Sequence, residues 1–444
     1  MARRGMPRAL APLRHRGFRL LTAGQLASNL GDASYAVALP WYVLATHGGA
    51  VLLGTVLAAY GIPRTALLTV GGYACDRWGA QTVMMTADVT RAFAVAALAA
   101  TAALGPASPA ELIPIAVVLG AGEGFFLPGS FSVIPALLPG EDLQAGNALS
   151  SSGTQAATLV GPAIGGALVA FIGAASAFGL DAASFAVSAV TLAAIRFSGH
   201  ASPAAAGAAN TAASGGIGGT ADTAPDGKPS LLTLIRSQRV LAVILLVTVA
   251  GNLGSGGESE VALPALAHGP LHAGAQGYGA IVAAFGGGAL LGTIIAGQVS
   301  RLRRPAVTAS LIFLGQAAAA ATVPFLGATA GVAAAMAVLG ITNGFGNVIM
   351  ITVFQRWAPP HLMGRLSGLL MLSAFGVFPV SVALGALFVR DLGPRSFFLF
   401  SAATLAAAIL TGLSLRSWRD FGADREAAAH HIVPATAVAQ GESS

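Results

Sequence analysis

The chain has 444 residues, 55% of them hydrophobic and only 9% charged, with a mean hydropathy of +0.75. A soluble domain carries about 25% charged residues, so this composition excludes an ordinary water-soluble globule. The net charge of +6 does not point to nucleic acid, because the basic residues sit in short loops between apolar runs.

An arginine-rich N-terminus precedes the first apolar run. That run is too long for a signal peptide and has no convincing small-residue cleavage site, so a retained first helix is expected. Twelve such runs follow along the chain, each long enough to cross a hydrocarbon core of ~30 Å at 1.5 Å per residue. They lie at roughly 18–46, 50–72, 81–104, 110–134, 143–173, 175–197, 237–266, 276–300, 305–327, 329–354, 362–389 and 394–416. Segment 198–236 is mostly Ala, Gly, Ser, Thr and Pro, which cannot build a core, and reads as a flexible cytoplasmic linker. Residues 1–197 and 237–419 are then two six-helix bundles, and 420–444 a disordered cytoplasmic tail. The expected fold class is an all-α membrane protein of twelve transmembrane helices in two pseudo-symmetric bundles. Arg77, Arg236, Arg239, Arg301, Arg303, Arg304, Arg356, Arg365, Arg416 and Arg419 fall on the same side as the N-terminal arginines, which predicts cytoplasmic termini. Cys75 is the only cysteine, so no intramolecular disulfide is possible.

The halves repeat. Asn29-Leu30-Gly31 with Val37–Pro40 recurs as Asn252-Leu253-Gly254 with Val261–Pro264. Leu119-Gly120, Gly124-Phe125 and Pro139 recur at the same offsets as Leu339-Gly340, Gly344-Phe345 and Pro359. Tyr60-Gly61 lies eleven residues before Gly72, as Phe285-Gly286 lies eleven before Gly297. Parallel repeats of this kind place a substrate site between the halves, near mid-membrane.

Gly72-x-x-x-Asp76-Arg77-x-Gly79 forms a short charged turn between the second and third spans. It resembles the signature turn of the major facilitator superfamily, and the twelve spans with a central linker fit that family. Gly161-Pro162-x-x-Gly165-Gly166 is similar to the Gly-Pro helix-bend motif of its drug/proton antiporter branch. The layout around Asn29–Pro40, Phe125–Pro135 and Gln355–Gly364 is most similar to the macrolide-efflux and enterobactin-exporter branch. Ala80 and Gln81 stand where the family turn usually has two basic residues, and the fourth span has no arginine. The resemblance implies a secondary active transporter in the plasma membrane, and a monomer. It implies proton-coupled export of small hydrophobic or amphipathic compounds by alternating access, with Gly72, Asp76, Arg77 and Gly79 as a conformational switch. An importer or facilitator on the same fold, and a non-transporting sensor or scaffold, stand as alternatives. The expected partners are a small-molecule substrate, the proton and the lipid bilayer, with no nucleic acid and no cofactor. No P-loop, nucleophile–base set or metal-site spacing occurs, so neither ATP-driven nor enzymatic chemistry is expected.

A charge at mid-bilayer costs roughly 2.5–3.5 kcal/mol, so each needs a reason. Asp32 lies ~21 Å along the first span and Glu123 ~16 Å from the cytoplasmic end of the fourth. Both are candidates for proton coupling or for binding a substrate cation; the structural alternative has Asp32 bonding local backbone after Gly31. Arg64, Asp88 and Arg91 read as a structural ion cluster, with gating or substrate contact as the alternative. Asp181 reads as a structural cap near the outer start of the sixth span. Glu258 and Glu260 face either an outward vestibule or solvent at a loosened, Gly-rich helix. Tyr35, Phe125, Asn343, Phe345 and Asn347 are candidates for the substrate cavity, Asn343 being the repeat equivalent of Glu123. Gly161, Pro162, Gly165 and Gly166 suit a bend or close helix packing. His268 and His272 read as a surface pair rather than a metal site.

Overall fold

The computed structural model describes residues 8–46, 49–195, 239–299, 302–357 and 363–421, and these are helical with no strand among them. The linker expected at 198–236 and nearly all of the expected tail lie outside the described residues. The first bundle contains α1 (Arg16–Ala45), α2 (Gly49–Trp78), α3 (Ala80–Leu104), α4 (Pro109–Leu137), α5 (Gly140–Phe171) and α6 (Ala174–Ala194). The second opens with α7 (Arg239–Gly257), which runs through a π-helical turn, Glu258–Ala262, into α8 (Leu263–His268). It continues with α9 (Gly274–Gln298), α10 (Pro305–Thr322), α11 (Thr329–Trp357), α12 (Met363–Phe375), α13 (Phe378–Leu392) and α14 (Pro394–Ser414). A last short turn, α15 (Arg416–Arg419), closes the described chain.

Among the described residues, eleven helical spans are long and apolar enough to cross a membrane. The twelfth is α1, whose 30 residues include Arg16, Arg19 and Asp32 and so dilute its hydropathy. It packs along α5 and α6 as a full member of the bundle.

The sequence repeats are repeats of helix crossings. In lipid there is little hydrophobic drive between helices, and close packing at small residues does the work. Where α4 crosses α2, a Cβ at Gly120 would lie 2.0 Å from the Tyr60 carbonyl oxygen, and one at Gly124 would lie 2.8 Å from that of Arg64. Where α11 crosses α9, a Cβ at the matching positions Gly340 and Gly344 would clash with the Phe285 and Ala289 carbonyls. Gly31 of α1 sits against Ser184 of α6 just as Gly254 of α7 sits against Ser401 of α14. At the α2–α4 and α9–α11 crossings the obstruction is backbone, which explains why those glycines recur at fixed offsets.

The two bundles meet along α5–α9 and α2–α13. Gly166 faces Gly279 backbone to backbone, and Gly54 faces Ala386. Thr65 Oγ1 donates to the Phe375 carbonyl at 3.2 Å. The described contacts between the halves run from Gly54 and Gly166, far from the basic loops, to the Thr65–Phe375 bond near the middle of α2. Toward the basic face, a Cβ at Gly72 or Gly297 would meet no described atom within 4 Å.

Three boundaries differ from expectation. Gly72 does not end a helix: α2 carries on through Asp76, Arg77 and Trp78, and the chain turns only at Gly79, with φ +84°. That backbone conformation favours glycine, whereas nothing at Gly72 requires it. The eleventh span is broken at Gly376-Val377, where α13 restarts with proline in its first turn. The seventh span widens at Glu258–Ala262, where the Leu263 N–H donates to the Glu258 carbonyl five residues back. Pro264 follows at once; its ring would clash with the Glu260 carbonyl of a regular helix, and the wide turn relieves that conflict. Of the expected tail only Asp420 and Phe421 are described; Phe421 is buried beside Trp418, whose Nε1 donates to Ser310 Oγ at 3.0 Å.

A backbone oxygen cannot swing aside as a side chain can. Gly120→Ala should therefore destabilise the protein by roughly 3 kcal/mol or more, whereas Gly72→Ala should be neutral. Thermal unfolding of the two purified variants, monitored by size-exclusion fluorescence, checks both.

Candidate functional site

Six of the eight charged side chains considered inside the spans line one cavity of about 250 Å³; Asp88 and Glu258 do not. Asp32 enters from α1, Tyr60 and Arg64 from α2, Arg91 from α3, Glu123 from α4 and Asp181 from α6. Across the bundle interface, Glu260 and Phe378 complete the wall. The lining holds four carboxyl groups and two guanidiniums, so full ionisation leaves two negative charges without a lining cation.

Arg64 is the centre of the arrangement. One of its terminal nitrogens lies 2.9 Å from Glu123 Oε1. Tyr60 donates its hydroxyl to the other oxygen of the same carboxylate. The guanidinium also lies over the Phe375 ring at 4.7 Å, which ties it to the second half. Its Nε is buried and has no hydrogen-bond partner. Arg64 and Tyr60 are four residues apart and so share a helix face.

The expected single cluster of Arg64, Asp88 and Arg91 is thus two pairs. Asp88 and Arg91 bond one helical turn apart on α3, both buried, while Arg64 engages Glu123 instead. The reason is direction: α2 points Arg64 at α4, and Arg91 is held between the Phe126 and Phe185 rings at 4.6 and 4.3 Å. Asp181 is no helix cap. It stands in the body of α6, 1% exposed, with the Ser184 hydroxyl 3.4 Å from Oδ1, and it lines the cavity. Glu258 and Glu260 part company at the π-turn, Glu258 buried and Glu260 facing the charged cavity. Asp32 is accessible from the cavity although it lies deep among the helices.

The aromatic and amide candidates scatter. Tyr35 lines the charged cavity and packs on Phe178, ring centroids 5.6 Å apart. Phe125 packs beside Ala74, Cys75 and Val83 near the basic end of the first bundle, and Phe345 packs into the core of the second. Neither lines the charged cavity or the second one described here. Asn343 and Asn347 line that second cavity, of about 430 Å³, in the other half.

Gly161, Pro162, Gly165 and Gly166 lie inside α5, which is continuous through the proline. Gly161 and Gly165 meet Ala33 and Ser34 of α1, while Gly166 meets Ala275 and Gly279 of α9. The motif is therefore the point where α5 is clasped between the two bundles. Among the described residues no group of three metal-binding side chains occurs. His268 instead contacts Trp41 edge-on at 5.1 Å.

Sequence reasoning passed over Tyr60 as the partner of Arg64 and Glu123, and over Phe375 and Gln316. The signal for Tyr60 was its four-residue spacing from Arg64. For Gln316 it was a lone amide in the apolar run of α10. Phe375 had no local signal, since its part depends on a contact between the halves.

At the basic face, outside the membrane-spanning segments, Arg14 donates to Asp142 at 2.9 Å and His15 Nε2 lies 3.0 Å from the same oxygen. These bonds dock the N-terminal turn Arg8–Arg14 onto the start of α5. The His15 hydrogen bond, and after it the Arg14 contact, hold the Asp142 carboxyl below its ordinary value.

The family profile described as Major Facilitator Superfamily matches residues 21–377. The multidrug efflux pump Tap of Mycobacterium tuberculosis is 27% identical over 409 residues, covering 90% of this chain and 94% of that protein. The enterobactin exporter EntS of Salmonella paratyphi A is 23% identical, covering 80% and 81%. Among solved structures, a D-xylose-proton symporter superposes with a TM-score of 0.66 at 14% identity, covering 92% of this chain and 98% of its own. A bacterial homologue of the iron transporter ferroportin, in an inward-facing state, gives 0.66 at 17%, covering 91% and 98%.

Two outcomes follow. Arg64 and Glu123 are partly buried, with 19% and 23% of their side chains exposed, so removing one partner leaves a charge only partly hydrated, at a cost of about 1–3 kcal/mol. Arg64→Met should therefore lower the melting temperature markedly, and the double variant Arg64→Met/Glu123→Gln should recover much of the loss. A lowered carboxyl pKa stabilises the fold at every pH above the ordinary value of about 4, and that stabilisation is lost as pH falls through the lowered value. The melting-temperature gap between wild type and Asp142→Asn should thus be constant from pH 7 to 5 and close only in strong acid.

Proposed function

Because the chain belongs to the Major Facilitator Superfamily, we propose that it is a proton-coupled exporter of small hydrophobic or amphipathic compounds, working by alternating access. The observation that carries this reading is Glu123: a carboxylate reachable from the cavity, held by Arg64 and Tyr60, with Glu260 of the other half across the same space. When a proton neutralises Glu123, Arg64 loses its counter-ion. The guanidinium then favours Glu260, and this exchange shifts the balance between arrangements of the two halves. A proton drives the change only because the ion pair differs between states. Asp32, open to the same cavity, is the second proton or substrate-cation group.

Export as the direction is supported by the names of the similar proteins, a multidrug efflux pump and an enterobactin exporter. The basic face is read as cytoplasmic, with both termini there. Alternating access requires a gap between the halves to open and close on that face. Asp76 and Arg77, at the end of α2 on that face, are read as contacts made when the gap closes. Residues 198–236 are read as the cytoplasmic linker joining the bundles, and the working unit as a monomer in the plasma membrane.

The test uses inside-out vesicles energised with a proton gradient and a panel of fluorescent amphipathic dyes. Wild type should accumulate at least one dye in a gradient-dependent way, and collapsing the gradient should stop it. Glu123→Gln should cut gradient-driven uptake at least tenfold at normal protein level, and Asp32→Asn should do likewise. Unchanged uptake in both variants would remove the carboxylates from the mechanism, and uptake only with the opposite gradient would make the protein an importer.

A further inference from the structure

The second cavity is the repeat-related counterpart of the charged one, with its acids replaced. Asp32 follows Asn29-Leu30-Gly31, and Ser255 follows Asn252-Leu253-Gly254 at the same offset. Glu123 likewise corresponds to Asn343. Asp32 and Glu123 line the first cavity; Ser255 and Asn343 line the second. The glycine crossings that set these positions recur in both halves, so the substitutions fall on matching walls.

The chemistry of the second cavity is neutral throughout: among the described residues its lining has no charged side chain. It keeps hydrogen-bonding capacity unspent. Asn347 Nδ2 donates to Asn343 Oδ1 at 3.0 Å, a bond that uses neither the Asn343 amide N–H groups nor the Asn347 carbonyl oxygen, and both residues line the space. Asn252 Nδ2 donates to the Thr248 carbonyl at 2.8 Å, leaving its own oxygen as an acceptor. Gln316 Oε1 is buried and has no partner. A buried acceptor left without a bond is destabilising, and a ligand donor reaching it would relieve that. Phe313 and Phe375 supply apolar faces beside these amides. The volume, about 430 Å³, suits a small ligand. Arg64, on the lining of the first cavity, lies over the ring of Phe375, on the lining of the second, so one ring–cation contact links the two linings.

We infer that this cavity is a binding subsite for the uncharged, hydroxyl- or amide-bearing apolar part of a substrate, separate from the charged cavity that handles protons and cations. Asn343 and Gln316 are its specificity-determining residues. The assignment deepens the export reading by naming a substrate class.

Binding at equilibrium tests it without transport. The full chain with Cys75→Ser and Ile351→Cys, a reporter on the cavity wall, is placed in lipid nanodiscs, and its labelling by a maleimide is timed. The probes are chloramphenicol and brefeldin A, both uncharged and hydroxylated, and ethidium, a permanent cation. At least one neutral probe should slow labelling, and Asn343→Ala should raise its half-protecting concentration at least tenfold. Asn343→Gln, which keeps the amide, should restore part of the effect, and unchanged size-exclusion profiles certify folding. Ethidium should protect less than the neutral probe. Failure of both neutral probes to protect, equal protection by ethidium, or insensitivity to Asn343→Ala with the fold intact would each overturn the assignment. No gradient is present, so a loss of proton-driven uptake in vesicles would leave this result standing, and the reverse holds as well.

Discussion

Arg64 is the one guanidinium that must satisfy both halves of the protein. Its charge cannot face hydrocarbon, and its nearest carboxylate, Glu123, belongs to its own bundle. Yet its flat face lies on Phe375 of the other bundle, and Glu260 shares its cavity. The position of one partly buried cation is thus tied to the position of one bundle relative to the other. Around it, Asp88–Arg91 is closed on itself between aromatic rings, a fixed pair beside one that can be exchanged.

That exchange needs bundles rigid enough to move as units. The glycine crossings provide this, because backbones touching at carbonyl oxygens leave no slack for a side chain to absorb. The same pattern within each half lets two bundles with little shared chemistry keep one geometry. Evolution of the two cavities could then proceed on a common frame: carboxylates on one side, amides and a hydroxyl on the other. A charged chamber and a neutral one, in contact through Arg64 on the Phe375 ring, give ion handling and ligand recognition separate linings on which to vary.

Most of the architecture was legible in the sequence. Span lengths, the loop arginines and the repeated glycines each follow from a one-dimensional rule, and the helices lie close to where those rules put them. Asp32 and Glu123 were legible too, since a lone acid in an apolar run announces itself. What was not legible is partnership. Arg64 was grouped with Asp88 and Arg91 by depth alone, and depth does not say which neighbour a side chain points toward. Phe125 and Phe345 were candidates as aromatics within the spans, but each follows a glycine that marks a tight crossing, and the rings are packed away from either cavity. Asp181 was placed by counting from a loop; its burial depends on α1 and α6 touching at Gly31.

The wide turn at Glu258–Ala262 carries a further consequence. A π-turn holds one residue more than the α-helix it interrupts, so everything beyond it is rotated by about 100° about the helix axis. Leu263, Leu266 and Ala267, all buried, owe their inward aim to that surplus residue. The helix is in effect two out-of-phase rods joined at a dislocation, and Glu260 rides on the dislocation itself. Such a defect moves by trading one backbone hydrogen bond for the next, so the carboxylate nearest the seam between bundles can be re-aimed while both ends of its helix stay where they are.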